Sequence, residues 1–163
     1  MHEVRPLDRD ESAEIVAVAD GMRATLVEVL GLARGVALYD HDWLVARVRW
    51  HLDPERCDGE VFVVTTAEGA VVGHTIVRVE RDGEDTPFGL FSTTWVQPDH
   101  RRLGLASALL QAGEAWMAAR GLAEVVTNTA ATNAPLIRMF EGRGYGVALA
   151  VGEMVQLRRK GQG

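Results

Sequence analysis

Apolar residues change their spacing along the chain, and each change marks an element. His2 to Leu7 is a short strand. Asp8-x-x-Glu11 forms a capping-box pattern ahead of Ile15, Ala19, Met22, Leu26, Val29 and Leu30, which recur at helical spacing, with Gly21 a weak point inside. Gly31 and Gly35 bracket a break, and a second helix over 42–52 places Leu44, Val45, Val48 and Leu52 on one side before Asp53-Pro54 ends it. The period then shortens. Val61 to Thr66 is a continuous buried-strand run, Glu68-Gly69 turns it, and Val71 to Val79 returns as a hairpin partner. Arg81 to Asp85 is a further turn, and Phe88 to Val96 is the next strand.

Helical spacing resumes with Leu105, Leu109, Leu110, Gly113, Trp116 and Met117, and Gly121 closes that helix. Glu124 to Thr129 is a strand. Thr132-Asn133-Ala134-Pro135 opens a helix whose apolar side is Leu136, Ile137, Met139 and Phe140, with Gly144 ending it. Tyr145 to Val151 and Glu153 to Leu157 form a closing hairpin, and 158–163 a frayed tail. The order is strand, two helices, three antiparallel strands, helix, strand, helix, two strands. It predicts a single α/β domain over residues 1–163 with a mixed central sheet.

Composition narrows this little. The 163 residues are 47% hydrophobic and 25% charged, as in an ordinary soluble globule. A formal charge of -6 argues against a nucleic-acid binder and leans towards a cationic substrate. Cys57 is the only cysteine, which excludes an internal disulfide and suits a reducing compartment. No apolar run reaches membrane-spanning length, and Met1 to Pro6 lacks the features of a signal peptide, so a cytoplasmic protein is expected.

The chemistry concentrates where the strand ending at Pro98 feeds the helix after Gly104. A strand entering a helix through a short turn leaves backbone N–H groups unpaired, and with the helix dipole they form an anion site. Gly104 and Ala106 let a phosphate approach the backbone. Arg101-x-x-Gly104-x-Ala106, after a strand ending Val96-x-Pro98, resembles the pyrophosphate-binding motif of the GNAT superfamily of N-acetyltransferases. Asn133, followed by Phe140-Glu141 and Gly144-Tyr145, resembles the second block of that family. Gly142-x-Gly144-x-Gly146 follows a helix, not a strand, and is no dinucleotide fingerprint.

The resemblance extends along nearly the whole chain and implies a GNAT-like fold with acetyl-CoA as co-substrate. It implies that acetyl-CoA pairs with the fourth strand and that the Val96 N–H polarises the thioester carbonyl. The pyrophosphate is then expected on the amides of Arg101, Arg102, Leu103, Gly104, Leu105, Ala106 and Ser107, with charge from Arg101 and Arg102. Asn133 is expected at the cofactor arm, with helix capping as a compatible role, and Phe140 beside the thioester. Many members carry a tyrosine at the Phe140 position as a general acid, and phenylalanine cannot serve so.

A general base is not legible. Leu90 to Thr94 contains no carboxylate; His74 is the candidate with a suitable intrinsic pKa, and Tyr39, His41 and Glu60 are looser ones. Trp43, Trp50 and Trp95 are read either as an acceptor pocket or as core. The implied reaction is direct attack of a primary amine, on a small molecule or a protein, upon acetyl-CoA; a non-catalytic acyl-CoA-binding domain is the alternative. No metal is expected, and the closing hairpin is a candidate homodimer interface.

Overall fold

The computed structural model describes residues 1–160. Its order is β1 (His2–Pro6), α1 (Ser12–Leu30), α2 (Leu32–Ala37), α3 (His41–Leu52), β2 (Gly59–Thr66), β3 (Val71–Arg81), β4 (Pro87–Val96), α4 (Leu105–Ala118), β5 (Glu124–Ala130), α5 (Ala134–Gly142), β6 (Gly146–Val151) and β7 (Met154–Lys160). The strands make one sheet in the order β1-β2-β3-β4-β5-β7-β6. Among the described residues, only the β4–β5 pairing is parallel. The expected mixed α/β architecture is present.

β2 shows how the sequence builds three layers. Alternate side chains leave opposite faces of a strand. Val61 and Val63 pack with Ile15, Val18, Leu44, Val48 and Ile76 under α1 and α3. Phe62 and Val64 belong to the other core, with Leu109, Leu110 and Met117 of α4 and Phe140 of α5. The sheet is therefore buried on both faces, which is why β2 reads as an unbroken apolar run.

Three expectations are corrected. The break at Gly31 holds a further helix, α2, too short to show a period. The capping box does not form: α1 begins after Glu11 with no side-chain cap, and the Asp8 carboxylate accepts from the Asp10 amide instead. Residues 158–160 continue β7 rather than fraying, because they pair with Glu124 to Val126; residues 161–163 lie outside the described residues.

Two irregularities in β4 position the site. Ile76 of β3 faces Thr93 while Val77 faces Phe91, so Ser92 is an extra, bulged residue that bends the strand. β4 pairs with β5 only from Gly89 to Phe91, although β4 runs on to Val96. β5 meanwhile stays with β7 as far as Ala130. Beyond the bulge the two parallel strands part, leaving a cleft with an unpaired edge of β4 on one wall.

Candidate active site

The Gln97 N–H donates to the Val72 carbonyl across the β3 side at 2.8 Å. Backbone groups alternate in direction along a strand, so the Val96 N–H and C=O point the other way, into the cleft. The Val96 carbonyl there accepts from Arg101 Nε at 2.8 Å. The Val96 N–H is thus on the edge where the sequence places an oxyanion donor.

After a 3-10 turn over Pro98–His100, the chain passes through left-handed backbone at Arg102 (φ 64°) and Gly104 (φ 76°) and enters α4 without a side-chain cap. The first bond into the helix is Ala108 N–H to the Gly104 carbonyl, at 3.0 Å. The amides of Arg102, Leu103, Gly104, Leu105, Ala106 and Ser107 donate to no acceptor among the described residues. Such a run of unpaired N–H groups at a helix start suits an anion. A Cβ at Gly104 would meet nothing within 4 Å, so the glycine is required by its backbone angle, not by crowding.

Arg101 is a correction. Its amide donates to the Pro98 carbonyl, and its guanidinium is committed to Val96 and to Glu28, with Nη2 2.6 Å from Glu28 Oε1. It braces the loop, leaving the exposed Arg102 as the arginine without an ion-pair partner there among the described residues. The Ser107 hydroxyl accepts from Arg143 Nη1 at 3.1 Å.

Across the cleft, Asn133 caps α5: its side-chain oxygen accepts from the Leu136 amide at 3.4 Å, and Nδ2 reaches Thr129. Phe140 has no exposed surface and meets Phe91 and Tyr145 edge-on, at 5.5 and 4.9 Å between centroids. It belongs to the core; the expectation that it touches the thioester is corrected. Tyr145, one of the chain's two tyrosines, does not replace the missing acid. Its hydroxyl donates to the buried Glu114 at 2.9 Å, and burial, then the Glu114 charge, push its pKa far up.

His74 is corrected as a base. It is sealed beneath α1, where a Cβ on Gly21 would lie 2.9 Å from its ring, and Nε2 meets Thr93 Oγ1 at 2.8 Å. Burial pulls its pKa down to about 3 and leaves the ring with no surface for an acceptor amine to reach. Glu60 pairs with Arg9 and stands opposite Val77, at the far end of the sheet from Val96. Trp50 is also at that end, stacked under Arg47 beside His51. Tyr39 stacks on Trp43 at 4.2 Å, both partly exposed, and His41 bonds Asp20 at 2.8 Å. Thr94 is bonded to Thr75. No cluster of metal-ligating side chains occurs among the described residues.

The sequence reading missed Glu28. From the last turns of α1 its Oε1 accepts from Trp95 Nε1 at 3.2 Å and from Arg101 at 2.6 Å. It brings a carboxylate to Trp95 and Arg101 at the end of β4, where Asp20, bonded to His41, also lines the pocket beside Trp95 and Gln97. Nothing local signals it, because its partners lie 67 and 73 residues away in sequence.

Residues 24–145 match the model of the Acetyltransferase (GNAT) family. A mycothiol acetyltransferase from Thermobispora bispora is 33% identical over 86 residues, 52% of this chain and 29% of that one. An aminoglycoside N(6')-acetyltransferase type 1 from Stenotrophomonas maltophilia is 33% identical over 76 residues, 44% of this chain and 50% of its own. The chain thus spans at most half the length of these curated relatives. Among solved structures, a chain of the NatC complex bound to Gag peptide and CoA aligns with a TM-score of 0.77 at 15% identity, covering 98% of both chains. That likeness is one of fold.

Proposed function

Because the chain belongs to the GNAT family of acetyltransferases, we infer that it transfers an acetyl group from acetyl-CoA to a primary amine. The observation that carries this reading is continuous: an unpaired β4 edge ending at the Val96 N–H runs into six unpartnered amides at the start of α4. The first suits an extended amide-bearing chain and a thioester carbonyl; the second suits a pyrophosphate. Both relatives act as acetyltransferases by name, one on an aminoglycoside, and the NatC structure holds CoA and a peptide. They support a small-molecule or protein amine as acceptor.

The amine attacks the thioester directly in a ternary complex. The oxyanion forms against the Val96 N–H, a kind of donor worth about 10²–10³ in rate. The departing thiolate is the base of a thiol with an intrinsic pKa of about 8.5 and leaves without a buried tyrosine acid. A second reading, a slow or non-catalytic acyl-CoA-binding domain, draws support from Phe140. No helix among the described residues is long and apolar enough to cross a membrane, and we place the activity in the cytoplasm. We assign the implied homodimer contact to β6.

The test is the thermal midpoint with and without acetyl-CoA, with ATP and NAD as controls. Saturation at about 100 times the dissociation constant adds roughly 2.7 kcal/mol. A shift confined to acetyl-CoA is expected, and no shift at saturation would overturn the reading. Thiol release with an amine panel then separates the enzyme from the binding domain.

A further inference from the structure

We propose that Glu28 is the catalytic residue that receives the acceptor amine and takes its proton; the inference rests on the acetyltransferase reading above. The two oxygens of its carboxylate differ. Oε1 is anchored twice, by the Trp95 indole and the Arg101 guanidinium. Oε2 has no hydrogen-bond partner among the described residues, and the side chain is 43% exposed. One oxygen is fixed and the other is free to bind.

Its position is set from three elements. α1 lies close over Trp95, where a Cβ on Gly21 would be 2.8 Å from the ring, so the helix cannot lift without losing that packing. Trp95 precedes Val96, whose N–H faces the cleft. Arg101 links the same carboxylate to the Val96 carbonyl. Glu28 therefore stands where the α1 face of the sheet meets the open edge of β4, near the expected thioester carbonyl. β4 supplies no carboxylate between Pro87 and Val96, and His74 is sealed beneath α1, out of an amine's reach.

An ammonium acceptor gives one proton to Glu28 Oε2, directly or through one water, and Glu28 returns it to solvent. The neutral nitrogen forms the C–N bond as the C–S bond breaks. Its second proton leaves with the thiolate as free thiol. Arg101 is the charged side chain bonded to Glu28; on neighbouring elements, Asp20 is paired with His41 and His2 with His100.

The experiment measures thiol release from acetyl-CoA with a diamine, an aminoglycoside and a peptide with a free N-terminus, across pH 6 to 9. Glu28→Gln keeps an oxygen for Trp95 and Arg101 and removes the base. Expected is a fall of about 10²–10⁴ in kcat/KM for the amine, with the acetyl-CoA thermal shift unchanged. The deficit should narrow as pH rises and free amine accumulates; Glu28→Asp should fall between. Wild-type rates in Glu28→Gln, or a loss matched by equal loss of acetyl-CoA affinity, would overturn the proposal in favour of a brace alone. So would a wild-type protein that binds acetyl-CoA and acetylates none of these amines. Failure to bind acetyl-CoA at all is a different result, and it removes the family-based reading itself.

Discussion

Gly104 and Phe140 show how one position can be chosen for backbone geometry and another for packing. Gly104 sits at φ 76° with open space around it, so Gly104→Ala meets no clash but must hold a left-handed angle that costs an L residue about 1–2 kcal/mol. Expected is a loss of that order in stability by urea titration and weaker acetyl-CoA binding, since relief of the strain re-aims the amides that follow. Unchanged binding would separate the loop from the cofactor. Phe140 lies wholly inside the core. Phe140→Tyr buries a hydroxyl with no evident partner, costing about 1–3 kcal/mol, and should lower the melting temperature without raising thiol release. Faster release would show that the ring opens to the cleft when cofactor binds. Motif spacing found the loop at this scale, yet gave Arg101 a phosphate; only the fold shows that Glu28 and the Val96 carbonyl already hold its guanidinium.

Between elements, two buried polar arrangements decide stability. Glu114 of α4 accepts from Arg143 after α5 and from Tyr145, and is ion-paired with Arg159 of β7 at 2.7 Å. Glu114→Ala strands two half-buried guanidinium groups, and breaking such a pair costs about 3–5 kcal/mol; chemical denaturation should register it, and a loss below ~1 kcal/mol would mean that water replaces the carboxylate. The second arrangement is histidine. His51 of α3 donates Nδ1–H to the Arg47 carbonyl and accepts from Arg78 at Nε2, while His74 lies under α1. Burial lowers them to about 4 and about 3. The unfolded chain protonates both near pH ~6.5, so between there and the folded values it binds more protons, and stability falls as pH falls. Each contributes a slope of up to about 1.4 kcal/mol per pH unit. Urea midpoints should be level above pH 7 and decline from pH 6 to 5, above the range where paired carboxylates such as Glu14 titrate. A flat midpoint would mean that both rings protonate inside the fold. Most elements were legible because their period is long enough to count. α2 was hidden by its length, and the Ser92 bulge by the fact that register belongs to a pair of strands rather than to one.

For the molecule as a whole, the sheet ends in two unlike edges. β1 is short, carries Glu3 and Arg5, and finishes in Pro6, which suits an edge that must not pair. β6 is exposed along its whole length, and from Gly146 to Gly152 it has no charged residue. Val147, Leu149 and Val151 are each more than half exposed. A strand of this kind is a template for another strand. Two copies meeting antiparallel across a two-fold axis would place neutral β6 against neutral β6, so chains of charge -6 could join without setting like charges opposite one another. Sedimentation at increasing concentration should therefore show a monomer–dimer equilibrium. Leu149→Lys should shift it to monomer while changing unfolding free energy by no more than about 0.5 kcal/mol, since the side chain is on the surface. The cleft between β4 and β5 is separated from β6 by β7, so acetyl-CoA should bind the monomeric variant as it binds the wild type. Equal sedimentation of both proteins as monomers would remove the dimer, and loss of cofactor binding with the dimer would show that the cleft depends on the second copy.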